Sequence, residues 1–305
     1  MQTIVVHQML IFFIIFAAGI FAVHRGILTK EGLPQLAKLV SKLLMPVWVF
    51  WASYNNITRK MVFNNWVILL IAGIVYLTLS LLSYLIVKVL HMEKDRGKAY
   101  RFTFTFGNLG MIGIPLLLYL FPETGGLYAA LFSVTDQLLF WTLGLYLASP
   151  SGGKAPFSLK NFINPNIISI LLGLTLACTG VSIGGFLTDL LVCIKNAFPV
   201  IGMLYLGALF ACSNWKRSFL CKELYIGIFL KMILLPVMTG KLLFALTSLP
   251  DWIIYCTVFT IALPTMTIVP MIASLYGKEG PYTAGITIGT IAISMTTIPL
   301  VAFLV

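Results

Sequence analysis

Charge is scarce in this sequence of 305 residues: Asp, Glu, Lys and Arg together make up 10%, against roughly 25% in soluble domains. With 60% hydrophobic residues and a mean hydropathy of +1.01, that shortage excludes an ordinary water-soluble globule. Paired cysteines are missing as well. Cys178, Cys193, Cys212, Cys221 and Cys256 are scattered with no CxxC, so there is no metal or redox motif and they read as small packing residues. H-E-x-x-H and paired carboxylates within apolar stretches are absent, which argues against a membrane-embedded enzyme. No catalytic residue, metal ligand or cofactor is assigned. The net charge of +11 would suit nucleic acid only as a basic face interleaved with stacking aromatics on a soluble module, and the sequence has no such face.

What the sequence does have is apolar blocks of roughly 20 residues, the length that crosses hydrocarbon as a helix. A membrane barrel would alternate apolar and polar residues, and stretches such as Ile68 to Leu82 do not. The expected fold is therefore an all-α polytopic membrane protein. Its ten spans fall near residues 5–23, 39–56, 65–88, 101–121, 126–148, 165–183, 190–212, 223–246, 252–276 and 282–304. Met1 to Leu10 carries no Lys or Arg, so the first block is expected to stay as a helix rather than be cleaved as a signal.

Ten spans put both termini on one side. The loops after the odd-numbered spans hold fifteen of the twenty Lys and Arg: Arg25, Lys30, Lys38, Lys42, Lys88, Lys94, Arg96, Lys98, Arg101, Lys154, Lys160, Lys216, Arg217, Lys222 and Lys278. The other loops hold four, Arg59, Lys60, Lys195 and Lys241, and Lys231 lies inside a span. The positive-inside rule then places the termini outside the cytoplasm of a cell membrane, and the polar linker from Ser149 to Asn161 inside it.

That linker divides the chain into 1–150 and 151–305, and the halves look alike. Gly19-x6-Gly26 parallels Gly173-x6-Gly180, an offset of 154 (173 − 19). Lys42-x3-Pro46-Val47 parallels Lys195-x3-Pro199-Val200, and Lys88 parallels Lys241, both at 153 (195 − 42 and 241 − 88). Pro115-x5-Phe121 parallels Pro270-x5-Tyr276 at 155 (270 − 115). Five spans per copy is an odd number, so the second copy enters the membrane upside down, as in secondary transporters whose site lies between inverted repeats.

The fourth span, with Gly107, Asn108, Gly110, Gly113 and Pro115, and the ninth, with Pro264, Thr265, Thr267 and Pro270, are expected to break within the membrane. Broken backbone at that depth is tolerated only beside protein or a polar cavity. The two resumed helices would aim their N-termini at the centre, where a positive partial charge of roughly half a unit favours an anion. Asn108, Thr265 and Thr267 add uncharged hydrogen-bonding groups suited to a carboxylate that must bind and leave. Asp136 and Lys231 are ionisable residues inside spans and thus functional candidates, as a mutual ion pair, as a proton-exchanging carboxylate or in substrate contact. Gln137 is a neighbour of that site. Lys42 and Lys195 read as snorkelling or as vestibule charges, and Gly285-x3-Gly289 as close helix packing.

From Gly107-Asn108-x-Gly110-x-x-Gly113-Ile114-Pro115, with the run from Gln137 to Leu143 and Lys231-x4-Pro236, the chain resembles the auxin efflux carrier family along essentially its whole length. That family includes bacterial malate or malonate permeases and the plant PIN-FORMED auxin exporters. The resemblance implies a scaffold of spans one, two, six and seven, and a mobile unit of spans three to five and eight to ten that moves as an elevator. It also implies broken helices crossing at Pro115 and Pro270, Asn108 on the substrate carboxylate, and Gln137 lining the site. The short central linker and a third span without an acidic residue set the chain apart from plant members. The expected partners are a small organic anion and the lipid bilayer, with a coupling proton and a second copy of the chain in a homodimer left open. The alternatives are a sodium-coupled carrier of the bile acid symporter type, for which Asp136 is the sole intramembrane carboxylate, and a structural or receptor role, which leaves two broken helices at equivalent positions without a purpose.

Overall fold

The computed structural model of the chain describes residues 2–55, 57–151, 165–212, 221–276 and 279–305, and among them every regular element is a helix. Most of the central linker, with Lys154 and Lys160, lies outside the described residues, as do Lys216, Arg217 and Lys278. In chain order the helices are α1 (Gln2–His24), α2 (Leu33–Tyr54), α3 (Arg59–Asn64), α4 (Val67–Val89), α5 (Lys94–Thr105), α6 (Leu109–Leu120), α7 (Gly125–Ala148), α8 (Pro165–Thr179), α9 (Phe186–Cys212), α10 (Lys222–Leu246), α11 (Asp251–Ala262), α12 (Val269–Tyr276) and α13 (Gly280–Leu304). Among the described residues six, α2, α4, α7, α9, α10 and α13, are long and apolar enough to cross a membrane, the shortest having 22 residues. At about 1.5 Å per residue that helix reaches ~33 Å, against ~30 Å of hydrocarbon.

Prolines shape three of these helices. Wide π turns occupy Val40–Leu44, Leu109–Gly113 and Ile228–Leu234, and each ends two residues before a proline: Pro46, Pro115 and Pro236. A proline offers no N–H and its ring crowds the carbonyl four residues back, so the preceding turn widens. A further π turn, Phe140–Gly144, has no such proline. There a side chain at Gly144 would run into the rings of Phe102 and Phe106, at 3.0 and 3.3 Å.

Glycine sets the closest helix contacts. A methyl group on Gly19 of α1 would collide with the Leu204 carbonyl of α9, and one on Gly207 of α9 with the Phe16 carbonyl of α1. Gly173 of α8 meets α2 in the same manner, 2.7 Å from the Phe50 carbonyl. Small residues that let backbones approach are what drives packing where lipid is as apolar as the side chains. Gly289 of α13 likewise packs under Leu224 of α10. Gly26 and Gly180, just past the ends of α1 and α8, take the left-handed conformation with φ +71° and +72°.

The fourth and ninth spans are both interrupted, at residues 106–108 and 263–268. Their crossing is not at Pro115 and Pro270. It forms an isolated antiparallel bridge between Gly107 and Thr265, in which Met266 N–H donates to the Phe106 carbonyl at 3.0 Å and Asn108 N–H to the Pro264 carbonyl at 2.7 Å. The physical reason is that such a bridge needs backbone N–H donors, which proline lacks. Pro115 sits after the π turn of α6, and Pro270 in the first turn of α12, where a missing N–H costs little.

Candidate functional site

The crossing pairs backbone groups of the two broken segments. Residues 108, 110 and 111 line one cavity; residues 107 and 109 line another, and the two share no lining residue. A Cβ at Gly107 would press against Leu263 at 3.3 Å, so a larger residue there would have to push the two segments apart slightly.

Asn108 governs the first cavity. It is 1% exposed, and its Oδ1 accepts from Met111 N–H at 3.2 Å, capping the start of α6. That bond fixes the amide's orientation and leaves Nδ2 buried and without a hydrogen-bond partner in a residue that lines the cavity. Thr267 stands on the same wall, its hydroxyl donating to Met111 Sδ at 3.3 Å, together with Gly110 and Met266. The opposite wall comes from α2 and α9: Val40, Met45, Phe198 and Tyr205. An uncharged donor on one wall and apolar side chains on the other suit a ligand with one polar end.

Thr265 is elsewhere. Its hydroxyl donates to the Thr103 carbonyl at 3.0 Å and its N–H to Thr290 Oγ1 at 3.1 Å, so it fastens the crossing rather than facing the cavity. Pro115 and Pro270 shape the two helices without lining the cavity. Gln137 does not line it either: its Nε2 donates to Asp136 Oδ2 at 2.9 Å and its Oε1 accepts from Trp141 Nε1 at 3.3 Å.

Asp136, 1% exposed, takes a second donor from the Tyr76 hydroxyl on Oδ1. Lys231, 3% exposed, forms no ion pair with it. Lys231 Nζ is buried without a hydrogen-bond partner, and the residue lines the second cavity with Tyr76, Thr105, Gly107, Thr260 and Leu263. Lys42 is exposed, and the Lys195 ammonium lies over the Trp51 ring at 5.7 Å. Sequence reasoning did not single out Tyr76, Thr105, Met111 or Tyr205. Tyr76 and Thr105 carry no spacing signal, and Met111 and Tyr205 look like ordinary membrane-helix residues. Among the described residues no three His, Cys, Asp or Glu side chains gather as a metal ion would need.

No curated protein matches the chain. The family model described as membrane transport protein matches residues 4–158 and 155–302, nearly the whole length. With several apolar helices of spanning length around two broken ones, this multi-pass membrane protein belongs to the membrane transport protein family, that of the auxin efflux carriers.

Proposed function

We propose that the protein is a secondary carrier of small organic anions, and that the Asn108 cavity holds the carboxylate. The observation that carries this is the buried, unpartnered Nδ2 of Asn108 beside Thr267 in a cavity between two groups of helices. Leaving a buried donor unpaired is costly unless a ligand supplies the acceptor. The opposite wall, with Val40, Met45 and Phe198, has no cation for a second carboxylate, which favours monocarboxylates over dicarboxylates.

The cavity, about 30 Å³, has room for a water or two. An organic anion therefore enters only when the walls part. In the elevator scheme, α4 to α7 and α10 to α13 slide against a scaffold of α1, α2, α8 and α9. The glycine-tight contacts of α1 with α9 and of α2 with α8 support that division.

The same reading takes residues 1–150 and 151–305 as inverted copies of five spans each, ten in all, with both termini outside the cytoplasm. Matched contacts support it: Gly19 meets Leu204 and Gly173 meets Phe50, and the partners are 154 apart on both sides (173 − 19 and 204 − 50). Sodium coupling is less well supported, because both Asp136 oxygens already accept hydrogen bonds.

The test is uptake and exchange of radiolabelled lactate, pyruvate, malate and malonate in proteoliposomes, with Asn108→Ala alongside. Exchange of at least one anion, lost in Asn108→Ala, is expected. If no carboxylate moved, the carrier reading would fall; normal transport by Asn108→Ala would remove the site alone.

A further inference from the structure

The second cavity is small, about 10 Å³, close to what one water needs. Two of its lining residues carry orphaned polar atoms: Lys231 Nζ and Thr105 Oγ1, both buried and without partners. A third, Tyr76, spends its hydroxyl proton on Asp136 and keeps oxygen lone pairs free to accept. A water in this space would meet Lys231, Thr105 and Tyr76, within the two to four partners a buried water needs. It would join the ammonium to the carboxylate as Lys231, water, Tyr76, Asp136.

Other titratable groups of the neighbouring helices are engaged elsewhere: on α5, the Tyr100 hydroxyl donates to the Glu223 carbonyl at 3.1 Å and the Arg101 guanidinium lies over the Tyr84 ring of α4 at 5.3 Å. On α7, the Tyr128 hydroxyl donates to Thr257 Oγ1 at 3.0 Å, and on α11, Cys256 is a buried thiol beside it. The titratable residue of α13, Tyr282, is held by Glu223 at the start of α10, and Lys241 of α10 is exposed. Asp136 is thus the carboxylate of the cluster and Lys231 its cation.

We infer that Asp136, Tyr76 and Lys231 form a proton-binding site that takes up one proton with each monocarboxylate, making the protein a proton–anion symporter. The inference rests on the carrier reading above. With Asp136 ionised and Lys231 protonated, the cluster is neutral. Uptake transfers a proton from hydronium to the Asp136 carboxylate; one water is released, an O–H bond forms on the carboxyl and the cluster gains one positive charge. The bound anion's negative charge cancels it. The two cavities adjoin at Gly107 and Asn108, neighbours in sequence, so each charge is felt at the other site. A mobile unit crossing lipid with no net charge avoids the penalty a bare anion would meet. After crossing, the carboxyl returns its proton to water and the anion leaves.

The test uses the purified full chain in liposomes with a lumenal pH dye and the four carboxylates named above. Wild type is expected to acidify the lumen as a monocarboxylate enters, and to accumulate it about tenfold per unit of inward pH gradient, the ratio a one-to-one proton coupling sets. Asp136→Asn, which with Lys231 protonated keeps the anion-loaded unit neutral, is expected to lose that accumulation while still exchanging labelled for unlabelled anion, which also shows that it is folded. Tyr76→Phe, which breaks the relay and keeps the ring, should slow net uptake more than exchange. Net monocarboxylate uptake by wild type without lumenal acidification overturns the inference and leaves the carrier reading standing. So does gradient-driven accumulation by Asp136→Asn, or loss of exchange in that variant. Absence of all exchange in wild type overturns both readings.

Discussion

The helix pairs α1/α9 and α2/α8 differ from the crossing of α5/α6 with α11/α12 in what they leave unsatisfied. In the first region contact is backbone to backbone: Gly19, Gly207 and Gly173 lie under carbonyls with no space for a side chain. In the second, buried polar atoms stand without partners: Thr105 Oγ1 and Asn108 Nδ2, with Lys231 Nζ of α10 in a residue lining the same cavity as Thr105. Backbone-to-backbone packing gives a rigid support, since helix carbonyls that already accept hydrogen bonds ask for no ligand. Orphaned donors in a dry interior are destabilising by about 1–3 kcal/mol each, a cost that a binding site recovers when occupied.

The hardest test of that contrast is to put bulk into the rigid region. Gly207→Leu would drive a side chain into the Phe16 backbone, which cannot rotate away as a flexible side chain can. Overpacking costs typically 1–3 kcal/mol even where side chains yield, so here the expected result is loss of monodisperse protein in detergent. A well-folded, fully active Gly207→Leu protein would show that α1 and α9 are free to separate, and the division into rigid and mobile parts would fail.

Next in size is Asn108→Ala. Removing a hydrogen bond to a charged ligand costs about 1.5–3 kcal/mol, which is on the order of 10- to 100-fold in anion affinity. The same substitution also removes the cap on Met111 N–H, worth about 1 kcal/mol, so a small fall in Tm accompanies it. A large fall in Tm with unchanged anion affinity would recast Asn108 as a structural cap.

Much of this contrast could be read from residue spacing. The Gly19 and Gly173 motifs stood out because a repeat doubles the signal, and both their second glycines prove to be left-handed. Lys231-x4-Pro236 was legible only as part of the family resemblance, and the widened turn before its proline came from the structure. The crossing point was misplaced because prolines mark where a helix bends, while the chain pairs where N–H groups remain, at Gly107 and Thr265. Gln137 was expected in the anion cavity, but a flexible amide next to a buried carboxylate satisfies that carboxylate first. Tyr76 was invisible within the apolar run of α4, since nothing local reveals that its hydroxyl meets Asp136, 60 residues on.

Pro236→Ala sharpens the second region from within. The alanine N–H can bond the carbonyl four residues back, so the turn Ile228–Leu234 is expected to tighten toward an ordinary helix and rotate Lys231 out of its cavity. Misplacement by about 1 Å can cost on the order of 100-fold, so proton-driven accumulation should fall at least about tenfold. Exchange at the Asn108 cavity, which does not use Lys231, should change far less. Equal losses in both measurements would tie the π turn to the whole mobile unit instead of to one cavity.

The smallest effect is expected where charges are fully partnered. Arg96 Nη2 meets Glu223 Oε1 at 2.5 Å, its guanidinium lies over the Tyr282 ring at 4.6 Å, and the Tyr282 hydroxyl donates to the same carboxylate oxygen at 3.2 Å. These contacts join the starts of α5, α10 and α13, and the Tyr100 hydroxyl adds a bond to the Glu223 carbonyl at 3.1 Å. The Arg96 side chain is 43% exposed, so water and salt screen the pair and its contribution is on the order of 1 kcal/mol or less. Arg96→Ala should therefore lower Tm slightly, less so at high salt, and leave exchange within about twofold of wild type, as surface ion pairs usually allow. A loss of exchange at unchanged Tm would mean that these three helix starts move relative to one another during transport, and that the mobile unit is not a single body.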